Sequence, residues 1–126
     1  MRAVDTNVLV RLVTRDDARQ TAAAEAFVGN GAWVPQLALA EAIWVLTSVY
    51  GLDATAIASA IDILLDHKDL TLQESEVVVN ALVRFRKRPS VGFSDCLMLE
   101  IARKAGHLPL GTFDRNLAKI EGAMRV

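Results

Sequence analysis

The sequence predicts an α/β protein: a mainly parallel central sheet with helices on both faces, a three-layer α/β/α arrangement. Two observations carry this. Short β-branched or apolar runs alternate along the chain with longer segments whose apolar residues recur at helical spacing. Gly, Asp and Asn punctuate the junctions, as turn and cap residues do. A length of 126 residues suits one hydrophobic core, so residues 1–126 are read as a single domain. With 52% hydrophobic and 23% charged residues the chain can fill that core, which excludes a disordered tail or a fibre.

Taken in order, Arg2 to Asp5 reads as the first strand, and Val8, Leu9, Leu12 and Val13 mark the helix after Asp5-Thr6-Asn7. An Ala-rich helix spans Thr21 to Val28 and stops at Gly29. Ala32 to Pro35 is the second strand, and Gln36 to Tyr50 is a helix ended by Gly51. Asp53 N-caps the next helix, to Asp66, which lines up Ile57, Ala60, Ile61, Leu64 and Leu65 on one face. Leu70 to Leu72 is the third strand. Ser75 to Arg86 is helical, as is Ser94 to Lys104, with Ser94 as its expected cap and Gly106 as its stop. Leu108 to Gly111 closes the set, with Pro109 suited only to an edge or a strand start.

Fourteen Lys and Arg against fifteen Asp and Glu give a net charge of −1, which excludes the strongly basic domain that most simply marks a nucleic-acid binder. The single cysteine, Cys96, permits no intramolecular disulfide, and with His67 and His107 far apart no Cys/His metal framework exists. The N-terminus lacks the apolar core of a signal peptide, and the most apolar stretch, Leu37 to Leu46, carries Glu41 and is too short for the roughly 20 residues of a membrane helix. A cytoplasmic protein is expected.

Four acids stand out: Asp5, Glu41, Asp95 and Asp114. Asp5 at a strand end and Asp114 in Thr112-Phe113-Asp114 also read as helix caps, and Asp95 reads as an acid favoured by a helix dipole. Glu41 shares its helix face with Leu37, Trp44, Val45 and Ser48, so it is expected to point inward and to require a salt bridge or a cation. Met98, Leu99 and Ala102 place Asp95 on an inward face too, with Glu100, Arg103 and Lys104 turned elsewhere. In a parallel sheet, ligands bind beyond the carboxyl ends of the strands, where Asp5 and Asp114 fall. Convergence of four carboxylates there calls for Mg²⁺ or Mn²⁺ and suits metal-assisted phosphodiester cleavage.

The segments VDTNVLVRL, LALAEAIWVL, GFSDCLMLEIARKAG and LGTFDRNLAKI, in that order from Arg2 to about Ile120, resemble the PIN-domain ribonucleases, especially the VapC-type toxins of toxin–antitoxin pairs. The resemblance implies that Asp5, Glu41, Asp95 and Asp114 form a catalytic quartet binding Mg²⁺ or Mn²⁺. Asp5 and Asp95 would be the main ligands, and Asn7 and Thr112 the supporting polar residues. It implies endonucleolytic hydrolysis of RNA with 5′-phosphate products. It also implies a homodimer and a cognate antitoxin, with operator DNA reached only through that antitoxin. Two other readings stay open: a catalytically silent PIN-like module binding RNA or protein, and a haloacid-dehalogenase-like phosphatase. Asn7 stands where the phosphatase needs a second Asp.

The run Arg84-Phe85-Arg86-Lys87-Arg88 reads either as cations complementing a helix C-terminus or as contacts to RNA phosphates, with Arg115 a further RNA-contact candidate and Arg11, Arg15 and Lys119 alternatives. Cys96, Trp33, Trp44 and Met98 are expected in the core. With the four proposed ligands set aside from the fifteen acids, eleven face fourteen bases, so the near-neutral total does not exclude RNA.

Overall fold

The computed structural model describes all 126 residues, which form two compact units, Met1–Ser75 and Glu76–Val126. Every strand pairing is parallel and six α-helices are present, as the alternating pattern predicts.

In the first unit, β1 (Arg2–Ala3), β2 (Ala32–Val34) and β3 (Leu70–Leu72) form a sheet in that order, with Arg2 beside Ala32 and Ala32 beside Leu70. The strand β1 is shorter than expected, although the Val4 N–H still donates to the Trp33 carbonyl. Asp5 then leaves the ladder to cap α1 (Thr6–Thr14). The next helix, α2 (Ala18–Val28), starts three residues before the Ala-rich run because Asp17 accepts a hydrogen bond from the Gln20 N–H. After β2 come α3 (Gln36–Ser48) and α4 (Ala54–Asp66), the latter capped by Asp53 as its sequence indicates. The helix α1 packs against α2, α3 and α4, burying Leu9, Leu39, Leu46, Ile61 and Leu64 completely. At about 1.5–3 kcal/mol per buried aliphatic side chain, this cluster is the main stabiliser of the unit.

The second unit holds α5 (Ser75–Lys87) from its second residue on, α6 (Phe93–Ala105), β4 (Leu110–Thr112) and β5 (Ala123–Arg125). Pairing of β4 with β5 makes a separate two-stranded sheet, so the fourth strand does not extend the first three. The strand β4 starts two residues later than expected, past Pro109, which has no N–H to give a ladder. The last strand, β5, is absent from the sequence reading. Gly92, not Ser94, occupies the cap position of α6, and no side chain caps that helix. Gly106 ends it in the left-handed conformation, φ 84°, which frees its N–H for the Ala102 and Arg103 carbonyls. Phe85 and Phe93 meet edge to face at 6.1 Å.

Three expected core residues lie outside: Trp44 is 64% exposed, Met98 52% and Trp33 36%. Cys96 is fully buried, as expected, and burial pushes its thiol up to about 11. No helix is long and apolar enough to cross a membrane.

Candidate metal centre

Asp5 stands just past the carboxyl end of β1, and its Oδ1 accepts the Val8 N–H at 3.2 Å. Capping therefore uses one carboxylate oxygen and leaves Oδ2 without a protein donor. The neighbouring parallel strand β2 runs into α3 through Pro35, so α3 starts at the same sheet edge. Glu41, on the second turn of α3, receives a 2.9 Å hydrogen bond from the Thr6 hydroxyl to Oε2. Thr6 follows Asp5 directly, so consecutive residues hold the first acid and orient the second.

The inward reading of Glu41 is corrected by this geometry. Glu41 is exposed, and Leu37 on its face is 71% exposed. The helix buries the opposite face, through Ala38, Leu39, Ala42, Ile43 and Leu46. Because α3 is apolar nearly all round, its periodicity cannot decide which face turns inward. What marks Glu41 is its tie to Thr6, a residue missed in the sequence reading and identifiable only from its contact.

In the second unit, Asp95 sits in the first turn of α6 and Asp114 two residues beyond β4. The Thr112 hydroxyl accepts the Asp114 N–H at 3.0 Å, and Asp114 Oδ1 accepts the Leu117 N–H at 2.8 Å, which fixes the carboxylate in the turn. Burial, then the negative charge of Asp114, raises the proton affinity of Asp95 above the ordinary carboxyl value, with no cation or donor to offset either. Within its own unit, none of the four acids pairs with a Lys, Arg or His side chain. Asp95 is half-buried, and the fully buried acid of α6 is Glu100, 6% exposed, contrary to its expected outward position. It takes a 2.9 Å contact from Arg103 Nε and lies 3.8 Å from Arg84 Nε.

Asn7 makes no hydrogen bond to either acid of its unit; it lines a cleft of about 510 Å³ between α1 and α2 with Val8, Arg11 and Gln20. Arg11 pairs with Asp16 and Tyr50, and Arg15 with Glu25, so both are taken up structurally. Arg86, Lys87, Arg88 and Arg115 are exposed, whereas Arg84 is half-buried beside Glu100.

Within neither unit do three or more His, Cys, Asp or Glu side chains group at metal-binding spacing. Each unit supplies instead a pair of carboxylates. An all-oxygen set of this kind fits Mg²⁺ or Mn²⁺, and Mg²⁺ commonly takes only one or two carboxylates and keeps several waters. The Asp95–Asp114 pair gives the fit a physical basis: burial is the larger cause of the raised Asp95 pKa, and a divalent cation would offset the second, the charge of Asp114. A carboxyl whose folded pKa is raised costs stability as pH rises from its unfolded value, near 3.8, through the folded one, and the full cost persists above. Solvent screening keeps that cost small. Asp95→Asn is therefore expected to raise the melting temperature in chelator at pH 7 by roughly 1–3 °C. Mg²⁺ should stabilise the wild-type protein and not the variant. A variant that melts lower in chelator, or gains equally from Mg²⁺, would contradict this origin of the shift.

The fold is α/β with parallel strands, and it places Asp5 just past β1 and Asp114 just past β4. The chain belongs to the PIN domain family, whose model matches residues 2–123. No curated protein and no solved structure matches it. PIN domains are mostly metal-dependent ribonucleases.

Proposed function

We propose that this PIN domain is a Mg²⁺- or Mn²⁺-dependent endoribonuclease, the toxin of a toxin–antitoxin pair, acting through Asp5, Glu41, Asp95 and Asp114. The observation that carries the reading is the PIN family match over residues 2–123, in a chain that sets Asp5 just past β1 and Asp114 just past β4. Asp5 presents a free oxygen while its other oxygen is fixed by the Val8 N–H. Thr6 steers Glu41, and Thr112 holds the turn that presents Asp114. A divalent cation held by these carboxylates would supply charge neutralisation and lower the pKa of a bound water. A histidine base would not be needed.

Incubation of the purified protein with single-stranded RNA should yield cleavage in Mg²⁺ or Mn²⁺ and none in excess chelator; absence of cleavage with both metals sinks the proposal. The supporting role of Thr6 is read from Thr6→Val, expected to lower turnover about tenfold, near 1.4 kcal/mol of barrier. Its melting temperature should change little, since Glu41 is exposed and regains water. Unchanged turnover would leave Thr6 a mere surface contact. The toxin role, the homodimer and the antitoxin partner follow from the family resemblance. A short antitoxin-like reading frame immediately upstream would support them.

A further inference from the structure

A cavity of about 130 Å³ in the second unit is lined by Arg84, Lys87, Arg88, Lys119, Ile120 and Glu121. Three of its cations come from the end of α5 and the residue following it, where a helix C-terminus favours positive charge. That preference does not account for Lys119, which arrives from a separate 3₁₀ turn, Leu117–Lys119. Arg84 is offset by Glu100. Lys87, Arg88 and Lys119 then face one carboxylate, Glu121, and the roughly half negative charge of a helix end, so the cavity keeps a positive surplus. Its volume falls below the roughly 300–1,000 Å³ of small-molecule pockets, which favours a compact anion over an organic cofactor. Two chain segments tie it to the acids. Glu100, which holds Arg84, lies five residues and about 7.5 Å of helix rise beyond Asp95 on α6, and Lys119 lies five residues beyond Asp114.

We infer that this cavity binds a backbone phosphate of the RNA substrate, beside the phosphodiester presented to Asp95 and Asp114; the inference rests on the ribonuclease reading. Arg88 and Lys119 supply the charge, and Glu100 holds Arg84 in place. The test is the binding of a fluorescein-labelled single-stranded RNA by the full chain, followed by anisotropy over a salt series with Ca²⁺ replacing Mg²⁺. Arg88→Ala and Lys119→Ala should each weaken binding roughly three- to tenfold and lower the slope of log affinity against log salt by about 0.7. Lys68→Ala, an exposed cation of the first unit, should change neither. Unchanged affinity and slope in both pocket variants, or equal losses in Lys68→Ala, overturn the inference. So does a pocket that takes inorganic phosphate while the variants bind RNA as the wild type does. A wild-type protein that binds RNA with this charge dependence yet cuts none in Mg²⁺ defeats the ribonuclease reading and supports the pocket. One that cuts RNA with the same KM in Lys119→Ala defeats the pocket alone.

Discussion

Asp5→Asn is expected to abolish RNA cleavage, with a loss of at least about a hundredfold and a fold that survives. The substitution keeps the side-chain oxygen that caps α1, so the Val8 N–H retains its acceptor, and Asn caps helices as well as Asp does. What it removes is the negative charge on an oxygen without a protein donor. Melting temperature should therefore stay within a few degrees of the wild type while activity disappears. That separation distinguishes a ligand from a cap, the two readings that Asp5 allows from sequence alone. Cleavage at the wild-type rate by Asp5→Asn, with contaminating nuclease excluded, would return Asp5 to its structural role.

Glu100→Ala is expected to cause the largest loss of stability, about 3 kcal/mol, without altering any of the four proposed metal ligands. Its carboxylate is buried and accepts from Arg103 Nε, while Arg103 Nη2 donates to the Glu121 carbonyl at 2.7 Å. Gly122 lets that guanidinium lie close, since a Cβ there would come within 2.8 Å of Arg103 Nη2. Removing the carboxylate leaves Arg84 and Arg103 facing each other without an anion, and both are only about a third exposed. For a chain of this length the melting temperature should fall by roughly 10 °C, and Glu100→Gln by less, because it keeps the shape and one acceptor. Urea unfolding of the two variants checks this. A loss under about 0.5 kcal/mol for Glu100→Ala would place the cluster among ordinary surface pairs.

Glu100 also shows where sequence reasoning runs out. An acid three residues before an arginine on a helix matches the pattern of a solvated surface pair, and only packing reveals that this one is inside. Glu41 fails in the opposite direction: apolar neighbours suggested burial, but α3 is apolar on both faces, and Leu37 and Trp44 stay exposed. The legible features are local ones. Asp5 and Asp53 each cap the helix that follows through their own side chains, and Gly106 ends α6 in a conformation that suits glycine. Parallel pairing followed from the alternation of elements, whereas the division into two sheets depended on β5, three residues long and without a periodic signal. Of the site, Asp5 and Asp114 were placed by their strand ends. The roles of Thr6 and of the Arg84–Glu100 contact arise from residues 35 and 16 positions apart and could be seen only once the chain was folded.

The central claim is that carboxylates and a divalent cation, without a histidine base, cut an RNA phosphodiester. The most direct measurement strips the purified protein with chelator, restores Mg²⁺ stepwise over a labelled single-stranded RNA, and identifies the new ends. The expected result is cleavage that appears only as Mg²⁺ is restored and leaves 5′-phosphate and 3′-hydroxyl ends. Cleavage that persists in chelator, or that leaves 2′,3′-cyclic phosphates, would contradict it.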